Sequence, residues 1–158
     1  MYRKLQSLMI ENGPKWVGIP LKYVPFSFKK QVIEQLLHRQ FQQALDDGEL
    51  DFLDGRWLKI DVRDLQLTWF VSLINGQLCV SQDEIADVGF SAETNDLILI
   101  ATRRQDPDTL FFQRRLIIEG DTELGLYVKN LMDSIDLDTM PKMLRIALDK
   151  MADAIQHN

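Results

Sequence analysis

A chain of 158 residues, 46% hydrophobic and 27% charged, can bury one core unaided, and its composition excludes collagen, low-complexity disorder and a disulfide scaffold. Its 24 acidic residues against 18 Lys and Arg leave a net charge of −6, which argues against general nucleic-acid binding, because phosphate neutralisation needs clustered cations. The single Cys79 forms no internal disulfide and points to a reducing compartment such as a cytoplasm. The beginning of the chain is too polar for a secretory leader, and no run approaches the ~20 apolar residues of a membrane span.

Residues 2–11 read as a short amphipathic helix, with Leu5, Leu8 and Met9 on one side, stopped by Asn12-Gly13-Pro14. Pro14, Pro20 and Pro25 make the next segment an extended connector. From Ser27, taken as an N-cap, Phe28, Val32, Ile33, Leu36, Leu37, Phe41, Ala44 and Leu45 recur at the spacing of a core-facing helix. Asp46-Asp47-Gly48 ends it.

The pattern then changes to period two. Leu58, Ile60 and Val62 define one strand, and Leu65, Leu67, Trp69, Val71 and Leu73 a second. Asn75-Gly76 turns the second strand onto residues 77–81, a strong hairpin signal. Ala86, Val88 and Phe90 make a fourth strand, and a helix is expected over residues 93–103. Asp106-Pro107-Asp108 opens a short helical turn with Pro at its first position. Residues 116–118 form a fifth strand, and Asp121 caps a helix facing inward through Leu124, Tyr127, Val128, Leu131, Met132 and Ile135. After Pro141 a last helix repeats the pattern with Met143, Leu144, Ala147, Leu148, Met151 and Ile155. The expectation is an α+β domain, a five-stranded, largely antiparallel mixed sheet covered by helices on one face.

Little catalytic chemistry is available. His38 sits within a helix and His157 beside the last residue, and no G-x-S-x-G elbow exists. Cys79 has no neighbouring cue for activation. Metal-ligand spacing, a P-loop and a G-x-G-x-x-G are absent. The acidic cluster Asp46, Asp47, Glu49, Asp51 and Asp54 lacks calcium-loop spacing and reads as a solvated turn. The expectation is no enzyme, no metal and no cofactor.

Charge and apolar surplus point elsewhere. Residues 1–30 carry +5 and the remainder −11. In that basic stretch Lys15, Lys22, Lys29 and Lys30 alternate with Trp16 and Tyr23, a composition that suits contact with an anionic headgroup boundary. An arm packed over the domain or across a homodimer satisfies the same pattern, and both readings stay open. Phe70 and Ile74 lie on the strand face opposite Trp69, Phe111 and Phe112 are adjacent, and Met132, Met140, Met143 and Met151 cluster near the end. Such a surplus of adaptable apolar groups is consistent with a ligand cavity. Its expected walls are Phe70, Leu73, Ile100, Phe111, Phe112, Leu124, Val128, Leu131 and Met143. A scaffold protein with a filled core is the alternative.

Ala86-Asp87-Val88-Gly89-Phe90-Ser91-Ala92, Asp96-Leu97, residues 106–112 and Leu116-Ile117-Ile118-Glu119-Gly120-Asp121 together resemble a sterol-carrier-protein lipid-binding domain over about residues 30–135. The resemblance implies a non-catalytic fold with an apolar tunnel between sheet and helices. Where many members of that family carry a glycine before the final strand, this chain has Gln113-Arg114-Arg115. Residues 105–130, the proline-rich arm and residues 44–50 resemble the bacterial accessory factors of ubiquinone biosynthesis. That resemblance implies a role in oxygen-independent synthesis beside the UbiU–UbiV iron–sulfur pair, holding polyprenyl quinone precursors or related lipids while the partners hydroxylate them. It implies a cytoplasmic protein, peripheral at the inner face of the membrane. The expected organisation is an arm over 1–26, a lipid-binding domain over 27–137 and a C-terminal helix over 138–158.

Overall fold

The computed structural model describes residues 24–157. The helix expected over residues 2–11, most of the proline-rich connector, and Lys15, Trp16, Lys22 and Tyr23 lie outside the described residues. Helix α1 spans Phe26–Asp46. Its N-cap is Pro25, not Ser27, because the Phe28 and Lys29 amides donate to the Pro25 carbonyl at 3.1 and 3.2 Å. The first turn therefore closes without a side-chain cap. Ile33, Leu37, Phe41, Ala44 and Leu45 pack this helix on the core. Its backbone leaves helical geometry at Phe41, at φ −113° and ψ 20°. A 3₁₀ turn over Asp51–Leu53 follows.

Five strands, β1 (Leu58–Val62), β2 (Leu67–Ile74), β3 (Gln77–Ser81), β4 (Val88–Ala92) and β5 (Ile117–Gly120), make one sheet in the order β3-β2-β1-β4-β5. Only the β1–β4 pair is parallel. Asn75 and Gly76 take positive φ of 52° and 77°, the pair of left-handed residues that a two-residue hairpin matching strand twist requires. Strand β4 starts two residues later than the alternation implied. Asp87 instead exchanges bonds with Trp57, whose N–H donates to the Asp87 carboxylate and whose carbonyl accepts the Asp87 N–H, both at 2.8 Å.

Register sets the two faces. Leu58, Ile60 and Val62 stand beside Val71, Trp69 and Leu67 on one side and Val88, Phe90 and Ala92 on the other, so one face is continuous and apolar. The opposite face carries Lys59, Asp61, Ser91 and Glu119. Phe70 and Ser72 are its buried exceptions, and the Ser72 hydroxyl donates to the Leu53 carbonyl at 3.2 Å. At the β3 edge the Val80 N–H donates to Glu34 of α1 at 2.9 Å, which occupies an edge donor otherwise open to pairing.

Helices α2 (Thr94–Ala101), α3 (Pro107–Phe112), α4 (Thr122–Asp133) and α5 (Lys142–His157) complete the fold, with a 3₁₀ turn at Leu137–Thr139 before α5. The expected caps are present. Asp106 accepts the Asp108 N–H at 2.8 Å, and Asp121 accepts those of Glu123 and Leu124 at 3.0 and 3.1 Å. Ile100, Leu110, Leu124 and Val128 close the core over the apolar sheet face. Among the described residues no helix is long and apolar enough to cross a membrane, and no three His, Cys, Asp or Glu side chains are grouped to hold a metal ion.

Candidate functional site

The motif residues that carry the family resemblance hold the backbone together. The Asp121 N–H donates to the Asp87 carbonyl at 3.0 Å, so the starts of β4 and α4 meet there. Gly120 makes this approach possible. Its φ is +95°, and a Cβ on it would stand 2.5 Å from the Asp87 carbonyl oxygen, far inside contact distance. Asp96 is buried on α2 and pairs with Arg115 beyond α3, so a charge with little access to water is matched rather than orphaned.

Arg115 belongs to the Gln113-Arg114-Arg115 segment. The Arg114 and Arg115 amides donate to the Phe111 and Leu110 carbonyls at 3.1 and 2.9 Å, the two bonds of a Schellman ending on α3. This motif asks for a left-handed residue, and Arg114 supplies it at φ 60° where glycine is the usual occupant. Arg103 takes the same place after α2, at φ 59°.

The nine residues expected to wall a cavity are distributed over three environments. Leu73, Ile100, Leu124 and Val128 are within the main core, and Leu131 packs against it. Phe70 is buried on the other sheet face. Phe111 is half-buried under Lys129, whose ammonium lies 5.1 Å from the ring centre and 2.5 Å from Asp108. Phe112 and Met143 point outward, 78% and 85% exposed; Met143 thus departs from the inward face that periodicity assigned it. Tyr127, placed on the inner face of α4 by the same reasoning, is at its margin and stacks on Phe52 at 5.3 Å. Of the basic contact candidates, Lys29 and Lys30 occupy the first two turns of α1, Lys29 half-buried and Lys30 exposed.

A half-open apolar cleft of about 190 Å³ lies between the second half of α1 and the first half of α5, and none of the nine expected wall residues is in its lining. Leu36, Leu37 and Phe41 form its α1 wall, and Leu144 and Leu148 its α5 wall. Ile135, Met140 and Pro141 close the end between α4 and α5. The α1 kink thus falls on a wall residue, Phe41. Polar groups gather at one margin. The Arg39 guanidinium donates through Nε to the Thr139 carbonyl at 3.0 Å, and the Gln40 amide lies 3.1 Å from the Thr139 hydroxyl. The second half of α5 is fastened elsewhere. Arg104, in the turn after α2, pairs with Asp153 at 2.5 Å and donates to Gln156 at 2.7 Å. The site is therefore a greasy cleft with one polar margin and a wall, α5, anchored at its far end. It can hold an apolar molecule, and among the described residues its lining includes no His, Cys, Asp or Glu.

Periodicity placed Leu36, Leu37, Phe41, Leu144 and Leu148 facing inward but could not show that the two helices stand apart there. Pro141 carried a partial signal, since a proline marks where a new helix begins.

Sheet order and the helical cover together define an α+β domain with an apolar cleft between two of its helices. The chain belongs to the SCP-2 sterol transfer family, which matches residues 33–133. It is 61% identical over 156 residues to the ubiquinone biosynthesis accessory factor UbiT of Escherichia coli (strain K12), a match covering 99% of this chain and 90% of that protein. Sterol carrier protein 2 of Gallus gallus is 26% identical over 122 residues, covering 72% of this chain and 22% of that one. Among solved structures, the UbiJ-SCP2 ubiquinone synthesis protein superposes with a TM-score of 0.56 at 20% identity, covering 70% of this chain and 93% of its own. That likeness shares the fold.

Proposed function

We propose that this protein is a non-catalytic accessory factor of ubiquinone biosynthesis that holds a polyprenyl quinone intermediate, or a related lipid, in the cleft between α1 and α5. The observation that carries the reading is the cleft itself, with eight apolar residues around about 190 Å³. The 61% identity to a ubiquinone biosynthesis accessory factor supports seeking the ligand among the lipids of that pathway. The physical need is plain: each exposed methylene of an isoprenoid tail costs roughly 0.8 kcal/mol in water, so a carrier must replace the bilayer around it.

The volume is below the roughly 300 Å³ at which small-molecule sites begin. A full tail therefore requires the first half of α5 to swing away from α1 while Arg104 retains its second half. Opening in that direction would extend the cleft toward Leu131 and the core residues Val128, Leu124, Ile100 and Leu73 as an inner wall, with Phe111, Phe112 and Met143 nearer the outside; Phe70, on the other face of the sheet, takes no part in it. Arg39 and Gln40 at the polar margin meet the head group. Hydroxylation belongs to partners, in oxygen-independent synthesis the UbiU–UbiV iron–sulfur pair. The arm residues Lys15, Trp16, Lys22 and Tyr23, with Lys29 and Lys30, touch an anionic membrane or a second subunit.

The test is organic extraction of the purified protein with mass spectrometry, followed by titration with a short-chain ubiquinone. Recovered isoprenoid or phospholipid at near one per chain supports the reading. An empty protein that also fails to bind the quinone overturns it.

A further inference from the structure

Helix α5 is fastened differently at its two ends. Its second half contains the buried Ala152, and half-buried Arg104 holds it through Asp149, Asp153 and Gln156. Among the described residues, the first half of α5 contributes none that is buried. Leu144 and Leu148 face the open space of the cleft, so they forgo part of the dispersion contact that a filled core gives. What fastens this half is polar and belongs to the segment just before it. Only Met140 and Pro141 separate the 3₁₀ turn over Leu137–Thr139 from α5. Arg145 of α5 also reaches back to Asp138 at 3.5 Å, so the turn and the first half of α5 move as one piece.

Two adjacent residues of α1 grip that turn. Arg39 donates through Nε to the Thr139 carbonyl at 3.0 Å. Gln40, with its amide oriented so that donors meet acceptors, accepts the Asp136 N–H at 2.8 Å. It donates in turn to the Asp136 carbonyl at 3.2 Å and the Thr139 hydroxyl at 3.1 Å. Arg39, Gln40 and Thr139 all line the cleft. We propose that the grip of Arg39 and Gln40 on the Asp136–Thr139 turn is the latch of the cleft, and that its release lets the first half of α5 swing out on the anchor at Arg104. The inference rests on the lipid-holding reading and names the residues that gate entry. The latch end yields first. Its bonds to neutral backbone and hydroxyl groups each add little net stability, whereas the anchor joins a guanidinium to two carboxylates beside a buried residue. An oxygen-bearing head group at the margin takes the place of the turn as partner to Arg39 and Gln40, so opening strands no donor.

The experiment is amide hydrogen exchange on the full chain, read by mass spectrometry, with stopped-flow binding of a short-chain ubiquinone. Gln40→Met removes the amide and keeps the length of the side chain. Asp136→Ala removes the carboxylate that accepts the Asp138 N–H at 2.9 Å, and so loosens the turn from outside the cleft lining. Both should speed exchange over residues 136–148 about tenfold and leave the sheet and residues 150–157 at the parental rate. Arg104→Ala should show the reverse split. Asp136→Ala, whose lining is intact, should also take up the quinone severalfold faster, because more of the protein is open. Parental exchange over 136–148 in both latch variants, or acceleration spread evenly over the chain, overturns the proposal. So does faster exchange in Asp136→Ala with quinone uptake unchanged. A parent that carries no lipid and binds no quinone defeats the carrier reading instead, and the exchange pattern still decides whether the turn is what holds the cleft shut.

Discussion

Replacing Arg114 by glycine should make the protein more stable. Arg114 stands at φ 60° in the Schellman ending of α3, where a side chain other than glycine costs roughly 1–2 kcal/mol. Glycine also loosens the unfolded chain, which returns about 0.5–1 kcal/mol of that gain. The backbone bonds to Phe111 and Leu110 do not involve the side chain and survive, and Arg115 keeps its pairing with Asp96. The net expectation is a stabilisation of about 0.5–1 kcal/mol, a rise in Tm of roughly 1–4 °C for a domain of this size. Urea denaturation with an unchanged m-value is the cleanest assay. Arg103→Gly, at the equivalent place after α2, should act with the same sign, and the two changes should add if they share no partner. A lower midpoint for Arg114→Gly would refute the reasoning and show that the guanidinium makes a stabilising contact that outweighs backbone strain.

Gly120→Ala places a Cβ 2.5 Å from the Asp87 carbonyl oxygen at a positive φ, so it should lower stability by about 3 kcal/mol or more, measurable as a large loss of urea midpoint. Asp96→Ala removes the carboxylate partner of Arg115. Because Arg115 is 43% exposed and can rehydrate, the loss should be about 1–2 kcal/mol rather than the 3–5 of a fully buried pair. Asp121→Ala deletes the acceptor for two helix-end amides of α4 and should cost about 1 kcal/mol in the same assay. Leu148→Trp, from the α5 wall of the cleft, should fill it. The lipid recovered per chain should fall severalfold while the far-ultraviolet spectrum is retained; full lipid occupancy in that variant would move the binding site elsewhere.

Local chemistry was readable wherever one residue decides a local conformation. Asn75-Gly76 turns a hairpin because both take left-handed φ, and Asp106 and Asp121 cap helices because a carboxylate reaches two amides onward. Ser27 failed for the same kind of reason, since the Pro25 carbonyl was already accepting the first turn. The parallel β1–β4 pairing was not legible, because the Asp87–Trp57 contact that launches it joins residues thirty apart in the chain. The cleft was harder still. Periodicity gives the direction of a side chain around its helix, but the gap between α1 and α5 depends on the Phe41 kink and on the length of the turn before Pro141. Met143 and Phe112 show the converse error, since an apolar residue at helical spacing need not be on the buried side of an amphipathic helix.

The central claim is that a lipid occupies the space between α1 and α5. Mass spectrometry of the lipid bound to the parent and to Leu148→Trp, purified alike, tests it most directly. The account predicts isoprenoid or phospholipid near one per chain in the parent and a severalfold loss in the variant. Equal lipid in both, or none in the parent, would contradict it.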